Sequence, residues 1–171
     1  EIKHGRVAMA AFVGYCVQRN FQWPFAMQLD GTRFPASNMS PELQWDNLPE
    51  MAKYQIFTFI AILELLDESY CGDLEARPHY MRGGQPGKFP EFNVNLIPNL
   101  YDPIGFNKKQ TDEQKARRLN MEVNNGRLAM LGIFGFLSAD AVPGSVPALV
   151  NIAKHYDGNV MVPFEGQFTL L

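Results

Sequence analysis

A nine-residue motif occurs twice in this chain, at positions 1–9 and 122–130, and each copy opens an apolar stretch. The copies read EIKHGRVAM and EVNNGRLAM, so Glu, Gly, Arg, Ala and Met recur at matching positions around a His or an Asn. A repeat this specific, far apart in the chain, indicates two related structural units. It predicts two helices whose apolar parts open with matching turns, crossed about a pseudo-twofold axis.

The spacing within the motif indicates how the two helices would contact each other. An α-helix turns by about 100° per residue, which separates the acid from the arginine of the same copy by roughly 140°. Charges so placed pair poorly within one helix. Crosswise pairs are available instead, which would join Glu1 to Arg127 and Glu122 to Arg6. The glycine before each arginine leaves room for close approach, and we expect buried pairs at the crossing.

A crosswise pair would neutralise the carboxylates of Glu1 and Glu122 and leave acceptor oxygens on both. His4 and Asn125, three positions after the acids, add a nitrogen or oxygen donor on the same helix face. Any of the four could serve a metal that needs one axial ligand, as the magnesium of chlorophyll does, because hard cations accept N and O donors. The alternative is a purely structural helix pair in which His4 and Asn125 are ordinary polar residues.

Another class of protein shares part of this motif. Glu-x-x-His on a bundle helix is also the signature of di-iron carboxylate oxidoreductases, which need two such copies and two further glutamates. The second copy has Asn125 in place of the histidine, and Glu64 and Glu68 both lie on one apolar segment. The sequence therefore favours a non-catalytic binding protein over a di-iron enzyme.

A single domain over residues 1–171 is predicted to contain three long helices, at about 1–19, 49–70 and 111–140. Thr111 and Gln114 resemble a capping box at the start of the third helix. A short amphipathic helix is expected over 147–156. The connections at 20–48 and 71–110 are rich in Pro and Gly and are expected to form turns and loops without strands.

The distribution of basic residues suggests that the three helices span a membrane. Hydropathy alone is weak evidence, because no segment reaches about 18 consecutive apolar residues. Residues 20–50 contain one basic side chain, Arg33, whereas residues 71–118 contain eight. This alternation places the N-terminus and the second loop on the same, positive side. A soluble helical bundle is the alternative, and the net charge of -3 predicts no binding of nucleic acid.

The repeat, the three segments and their order resemble the light-harvesting chlorophyll-binding family over nearly the whole chain. Gln55 and Glu64 in the second segment, and the turn at 101–106, are similar to the chlorophyll a/c branch of that family. Within this branch, residues 78–84 and 142–147 look most like peridinin-type, dinoflagellate proteins, with fucoxanthin-type relatives as the alternative. The resemblance implies an all-α, multi-pass protein of the chloroplast thylakoid membrane with its N-terminus in the stroma.

The resemblance also implies what the protein binds. Chlorophyll a and chlorophyll c are implied, with peridinin as the carotenoid and fucoxanthin or a diadinoxanthin-type xanthophyll as alternatives. The implied magnesium ligands are Glu1, His4, Gln55, Glu64, Glu122, Asn125 and His155. Arg6 and Arg127 would be ion-pair partners, and Asp102 would hydrogen-bond a carotenoid end group unless it only forms a turn. Gln55, Glu64 and His155 could instead be plain polar residues.

The function implied by the resemblance is light harvesting without catalysis. Excitation energy would pass to a photosystem core, with photosystem I favoured, next to neighbouring antenna subunits and membrane lipid. A photoprotective pigment-binding relative is an alternative. Relatives often carry Gln where this chain has Ala139, so a chlorophyll there would need another ligand or be absent.

Overall fold

The computed structural model describes residues 1–69, 79–88, 105, 110–160 and 163–164, and these residues are mainly helical. The α-helices are α1 (Ile2–Asn20), α2 (Pro41–Asp46), α3 (Glu50–Ser69) and α4 (Asp112–Ala141). The long helices α1, α3 and α4 lie close to the three segments predicted. In the described ranges, β structure is limited to an isolated bridge between Ala26 and Arg33. None of the helices described there combines the length and apolar content needed to cross a membrane.

Local capping explains where two of these helices begin. The Thr111 hydroxyl accepts a hydrogen bond from the Gln114 N–H at 3.4 Å, and the Gln114 side chain accepts one from the Thr111 N–H at 3.3 Å, which confirms the predicted capping box. Helix α2 falls where only loop was expected, so that expectation is wrong. Ser40 caps it by accepting from the Leu43 N–H at 3.3 Å, and Pro41 opens its first turn.

The prediction of an amphipathic helix over 147–156 is also wrong. The structure has a 3-10 turn at Pro147–Leu149, after which the chain folds back onto the end of α4. Asp140, which is 1% exposed, accepts a hydrogen bond from the Lys154 N–H at 2.7 Å through its carboxylate. Its backbone carbonyl accepts another from the Tyr156 N–H at 2.9 Å. These two N–H groups are therefore taken by Asp140 rather than by a helical ladder.

The three long helices alternate in direction. Gly5 in the first turn of α1 lies against Gly126 of α4. Five residues before the end of α1, the Tyr15 hydroxyl donates to the Asp140 carboxylate near the end of α4, so α1 and α4 run the same way as they cross. The start of α1 contacts the last turns of α3, and the end of α1 lines a cavity together with Ala52 and Gln55 near the start of α3. Helix α3 therefore runs in the opposite direction. Residues 79–88 lie beside the start of α1.

The Glu42 carboxylate of α2 makes stability depend on pH. Both of its oxygens are buried, and neither meets a donor at hydrogen-bonding geometry in the part of the chain that the structure describes. Burial raises the pKa of the Glu42 carboxyl above its ordinary value of 4.5, and the nearby Asp140 carboxylate acts in the same direction. The folded state therefore holds this proton more tightly than the unfolded chain does. The stabilisation is largest when Glu42 is protonated and is lost as the pH rises from 4.5 through the raised pKa.

We expect Glu42→Gln to remove this part of the pH dependence and to raise the melting temperature at neutral pH, because the amide carries no charge to bury. Thermal unfolding between about pH 4 and pH 8 measures the effect. Glu113→Gln, in the exposed first turn of α4, is the control. Identical pH profiles for Glu42→Gln and the unaltered chain would contradict the assignment.

Candidate functional site

The candidate site is centred on the crossing of α1 and α4, where Gly5 and Gly126 are buried against each other. A Cβ added to Gly126 would lie 2.8 Å from the Cα of Gly5, and a Cβ added to Gly5 would lie 3.0 Å from the Cα of Gly126. Because these neighbours are backbone atoms, neither position accepts a side chain unless the helices move. The two copies of the motif thus contact each other through their glycines.

The acids and arginines of the two copies exchange partners across this crossing. Arg6 Nε donates to Glu122 Oε1 at 2.5 Å, and Arg127 Nε donates to Glu1 Oε1 at 2.5 Å. Equal distances with swapped partners are what a local twofold rotation produces. The structure therefore contains both crosswise ion pairs.

The expectation that both pairs are buried is wrong. The side chains of Arg127 and Glu1 are 58% and 52% exposed, whereas those of Arg6 and Glu122 are 39% and 31% exposed. The difference comes from residues 79–88, which cover one pair: Arg6 Nη1 donates to the Gly87 carbonyl at 2.6 Å. Residues 79–88 pack closely against α1, because a Cβ on Gly87, whose φ is 78°, would collide with Ile2.

Each carboxylate at the crossing keeps an oxygen that its arginine does not use. Within the described ranges, Oε2 of Glu1 and Oε2 of Glu122 accept no hydrogen bond. His4 and Asn125 are exposed on their helices, and the same ranges offer neither side chain a hydrogen-bond partner. Oxygen and nitrogen donors of both copies are therefore available to a ligand beside the helix pair.

Two further candidates, Gln55 and Glu64, lie on α3. Gln55 lines a cavity of about 690 Å³ together with aromatic and apolar side chains, among them Phe21, Trp23, Trp45 and Phe59. Glu64 has a cationic partner that the sequence analysis missed, because Lys3 Nζ lies 2.7 Å from Glu64 Oε2. The repeat gives no signal for Lys3, since the second copy has Asn124 at that position.

One further candidate lies away from the helix crossing. His155 is in the irregular segment after α4, where its Nδ1 lies 3.0 Å from the Asp140 carbonyl and its Nε2 contacts the Asp157 carboxylate. His155 and Ala139 both line a cavity of about 190 Å³. Asp102 lies outside the described residues.

The fold and the site define an all-α protein in which a repeated motif forms a helix crossing and presents oxygen and nitrogen donors around it. The chain belongs to the family described as chlorophyll A-B binding protein, whose model matches residues 1–141. This is a family of pigment-binding, light-harvesting proteins and not of enzymes, which confirms the prediction of a non-catalytic protein.

Three similar proteins are fucoxanthin-chlorophyll a-c binding proteins. One from Trieres chinensis is 30% identical over 155 residues, which cover 86% of this chain and 66% of the relative. Protein F of Macrocystis pyrifera is 29% identical over 137 residues, or 80% of this chain and 57% of the relative. Protein F of Phaeodactylum tricornutum is 30% identical over 139 residues, or 80% and 60%. The chain thus spans less than two thirds of each relative. All three relatives are named for fucoxanthin, so these comparisons do not support peridinin as the preferred carotenoid.

Proposed function

We propose that this chain is a light-harvesting antenna protein that binds chlorophyll a, chlorophyll c and a carotenoid. The observation that carries the proposal is the helix crossing, where Glu1 and Glu122 each give one carboxylate oxygen to an arginine and keep the other. A carboxylate paired in this way is neutralised but still has lone pairs for magnesium, a hard cation that prefers oxygen. His4 and Asn125 would supply an imidazole nitrogen and an amide oxygen as further axial ligands.

The surface of the crossed helices fits large, flat, apolar ligands. Five apolar side chains of α1 and α4 are between 60% and 72% exposed: Val7, Val13, Leu128, Leu131 and Phe134. Contiguous apolar surface is usually covered in the functional state. When bound, chlorophylls and carotenoids supply light absorption and the transfer of excitation between pigments. The side chains of the chain hold the pigments at fixed separations and orientations and exclude water from them.

Three more side chains are proposed as magnesium ligands. Gln55 lies at a cavity whose aromatic lining suits a tetrapyrrole ring, and Glu64 keeps one carboxylate oxygen beside its lysine pair. His155 donates from Nδ1 to the Asp140 carbonyl, which would leave the lone pair on Nε2 for a metal once Asp157 turns away. Asp102 keeps its proposed role at a carotenoid end group.

We also propose that α1, α3 and α4 cross the thylakoid membrane as one domain, with the N-terminus in the stroma. Their alternating directions put the start of α1 on the same side as residues 79–88, which carry the basic residues Arg82 and Lys88 of the second connection. The charges at the crossing are paired, which lowers the cost of placing them at membrane depth.

The proposal extends to the carotenoid and to the partners. We propose fucoxanthin as the carotenoid, because the similar proteins are named for it. The excitation would be passed to a photosystem core, with photosystem I favoured, and the chain would contact neighbouring antenna subunits and membrane lipid. The eight basic residues of positions 71–118 would supply the charge for such contacts.

The variant His4→Leu tests the ligand assignment. Refolded with chlorophyll a, chlorophyll c and fucoxanthin, it should bind about one chlorophyll fewer per chain, because one magnesium loses its axial nitrogen. Pigment extraction gives the count, and Asn124→Leu, an exposed polar residue of α4 outside the site, is the control. An unaltered chain that stays colourless would contradict the antenna function, and a full chlorophyll count in His4→Leu would contradict the role of His4.

A further inference from the structure

Lys3 is surrounded by carboxylates of α3. Its Nζ lies 2.7 Å from Glu64, 3.2 Å from Asp67 and 3.6 Å from Glu68. Close backbone contacts among the described helices are extensive only between α1 and α4. The lysine therefore adds a direct polar link between α1 and α3.

Asp67 is the least exposed of these three acids, whereas Glu64 makes the shortest contact with the lysine. Glu68 has other partners, because His79 Nε2 lies 2.9 Å from one of its oxygens and the Tyr80 hydroxyl donates to the other at 3.1 Å. Glu64 has the shortest contact with Lys3, and in the described ranges it has no other ion-pair partner. Removal of the lysine charge would leave Glu64 beside two like charges on its own helix.

The Glu64 carboxylate has the same arrangement as the two acids at the crossing. In each of Glu1, Glu122 and Glu64, one oxygen meets a cation from a different helix at 2.5 to 2.7 Å. The other oxygen has no hydrogen bond in the ranges that the structure describes. Lys3 thus pairs with a carboxylate of α3 in the way that the motif arginines pair with Glu1 and Glu122. It does so from a position at which the two copies of the repeat differ.

We propose that Lys3 is a positioning residue: it neutralises Glu64 from across the helix gap and orients it so that its second oxygen binds the magnesium of a chlorophyll. The proposal rests on the proposed antenna function. It explains how an acid without an arginine can serve as a ligand, because its charge is balanced while a lone pair remains. It also fixes the separation of α1 and α3, and hence of the pigments that they hold.

The test compares refolded pigment complexes of Lys3→Gln, Lys3→Arg and Glu64→Leu, since leucine has no ligating atom. Lys3→Gln and Glu64→Leu should each lose about one chlorophyll per chain, with the same band missing in the low-temperature absorption difference spectrum. Lys3→Arg should keep that band, because it restores the charge. Lys115→Gln, which breaks an exposed ion pair with Asp112, is the matched control and should change neither the count nor the spectrum.

A purely structural role for Lys3 would not produce matching difference spectra. If Lys3→Gln fails to assemble, the double variant Lys3→Gln/Glu64→Leu should assemble again without the band, because the uncompensated charge of Glu64 is gone. The proposal is overturned if Lys3→Gln keeps the band that Glu64→Leu loses, if Glu64→Leu loses no chlorophyll, or if the double variant also fails to assemble. The antenna function is judged separately, from the pigment content of the unaltered chain and of His4→Leu.

Discussion

Replacing Gly126 with alanine should prevent α1 and α4 from crossing and should abolish the assembly of a pigment complex. The new Cβ would lie 2.8 Å from the Cα of Gly5, a backbone atom that cannot rotate away. An exposed glycine-to-alanine change inside a helix is otherwise favourable by about 1 kcal/mol. A loss of assembly would therefore come from the helix contact and not from a weaker α4.

The yield of coloured complex after refolding measures this effect, and circular dichroism reports the helix content. Gly135→Ala is a matched control in the same helix, because a Cβ at Gly135 meets nothing within 4 Å. Its yield should equal or exceed that of the unaltered chain. If Gly126→Ala assembles as well as Gly135→Ala, the two helices do not cross at their glycines in the working protein.

The second large effect is expected from Arg6→Leu, which should reduce assembly far more than Arg127→Leu does. Arg6 pairs with Glu122 and also donates to the Gly87 carbonyl, whereas the ion pair of Arg127 is the more exposed of the two. Leucine at position 6 leaves a half-buried Glu122 without its cation and releases residues 79–88. An unpaired charge in a poorly solvated site is destabilising.

Refolding yield and limited proteolysis together test this difference. Arg6→Leu should increase cleavage within residues 79–88, and Arg127→Leu should not. Arg6→Lys should give a refolding yield between those of the unaltered chain and Arg6→Leu. Lysine keeps the charge, but it lacks the planar guanidinium group that donates to both Glu122 and the Gly87 carbonyl. Equal yields and equal cleavage for the two leucine variants would show that residues 79–88 do not brace the Arg6 pair.

The parts of this structure that the sequence predicts depend on local or repeated signals. The capping box at Thr111 involves residues three apart, and the crosswise arginine pairs follow from helix periodicity once the motif is seen twice. The Lys3–Glu64 contact joins residues 61 apart and depends on how α3 is rotated, which periodicity does not fix.

Long-range contacts also explain the expectations that failed. The segment at 147–156 has helix-compatible residues, but Asp140 captures two of its backbone N–H groups and prevents a helix. The unequal burial of the two arginine pairs comes from Gly87, which covers only one of them. Helix α2 is different, because Ser40 and Pro41 gave a local start signal that the loop interpretation overlooked.

The glycine contact restricts the same position in both copies of the motif. Because Gly5 and Gly126 are each other's nearest neighbours, a larger side chain at either one disturbs both helices. The residue just before each glycine is exposed and free of this restriction, and there the copies differ, with His4 in one and Asn125 in the other. The crossing can therefore offer two chemically different donors without any change to the contact that holds the helices together.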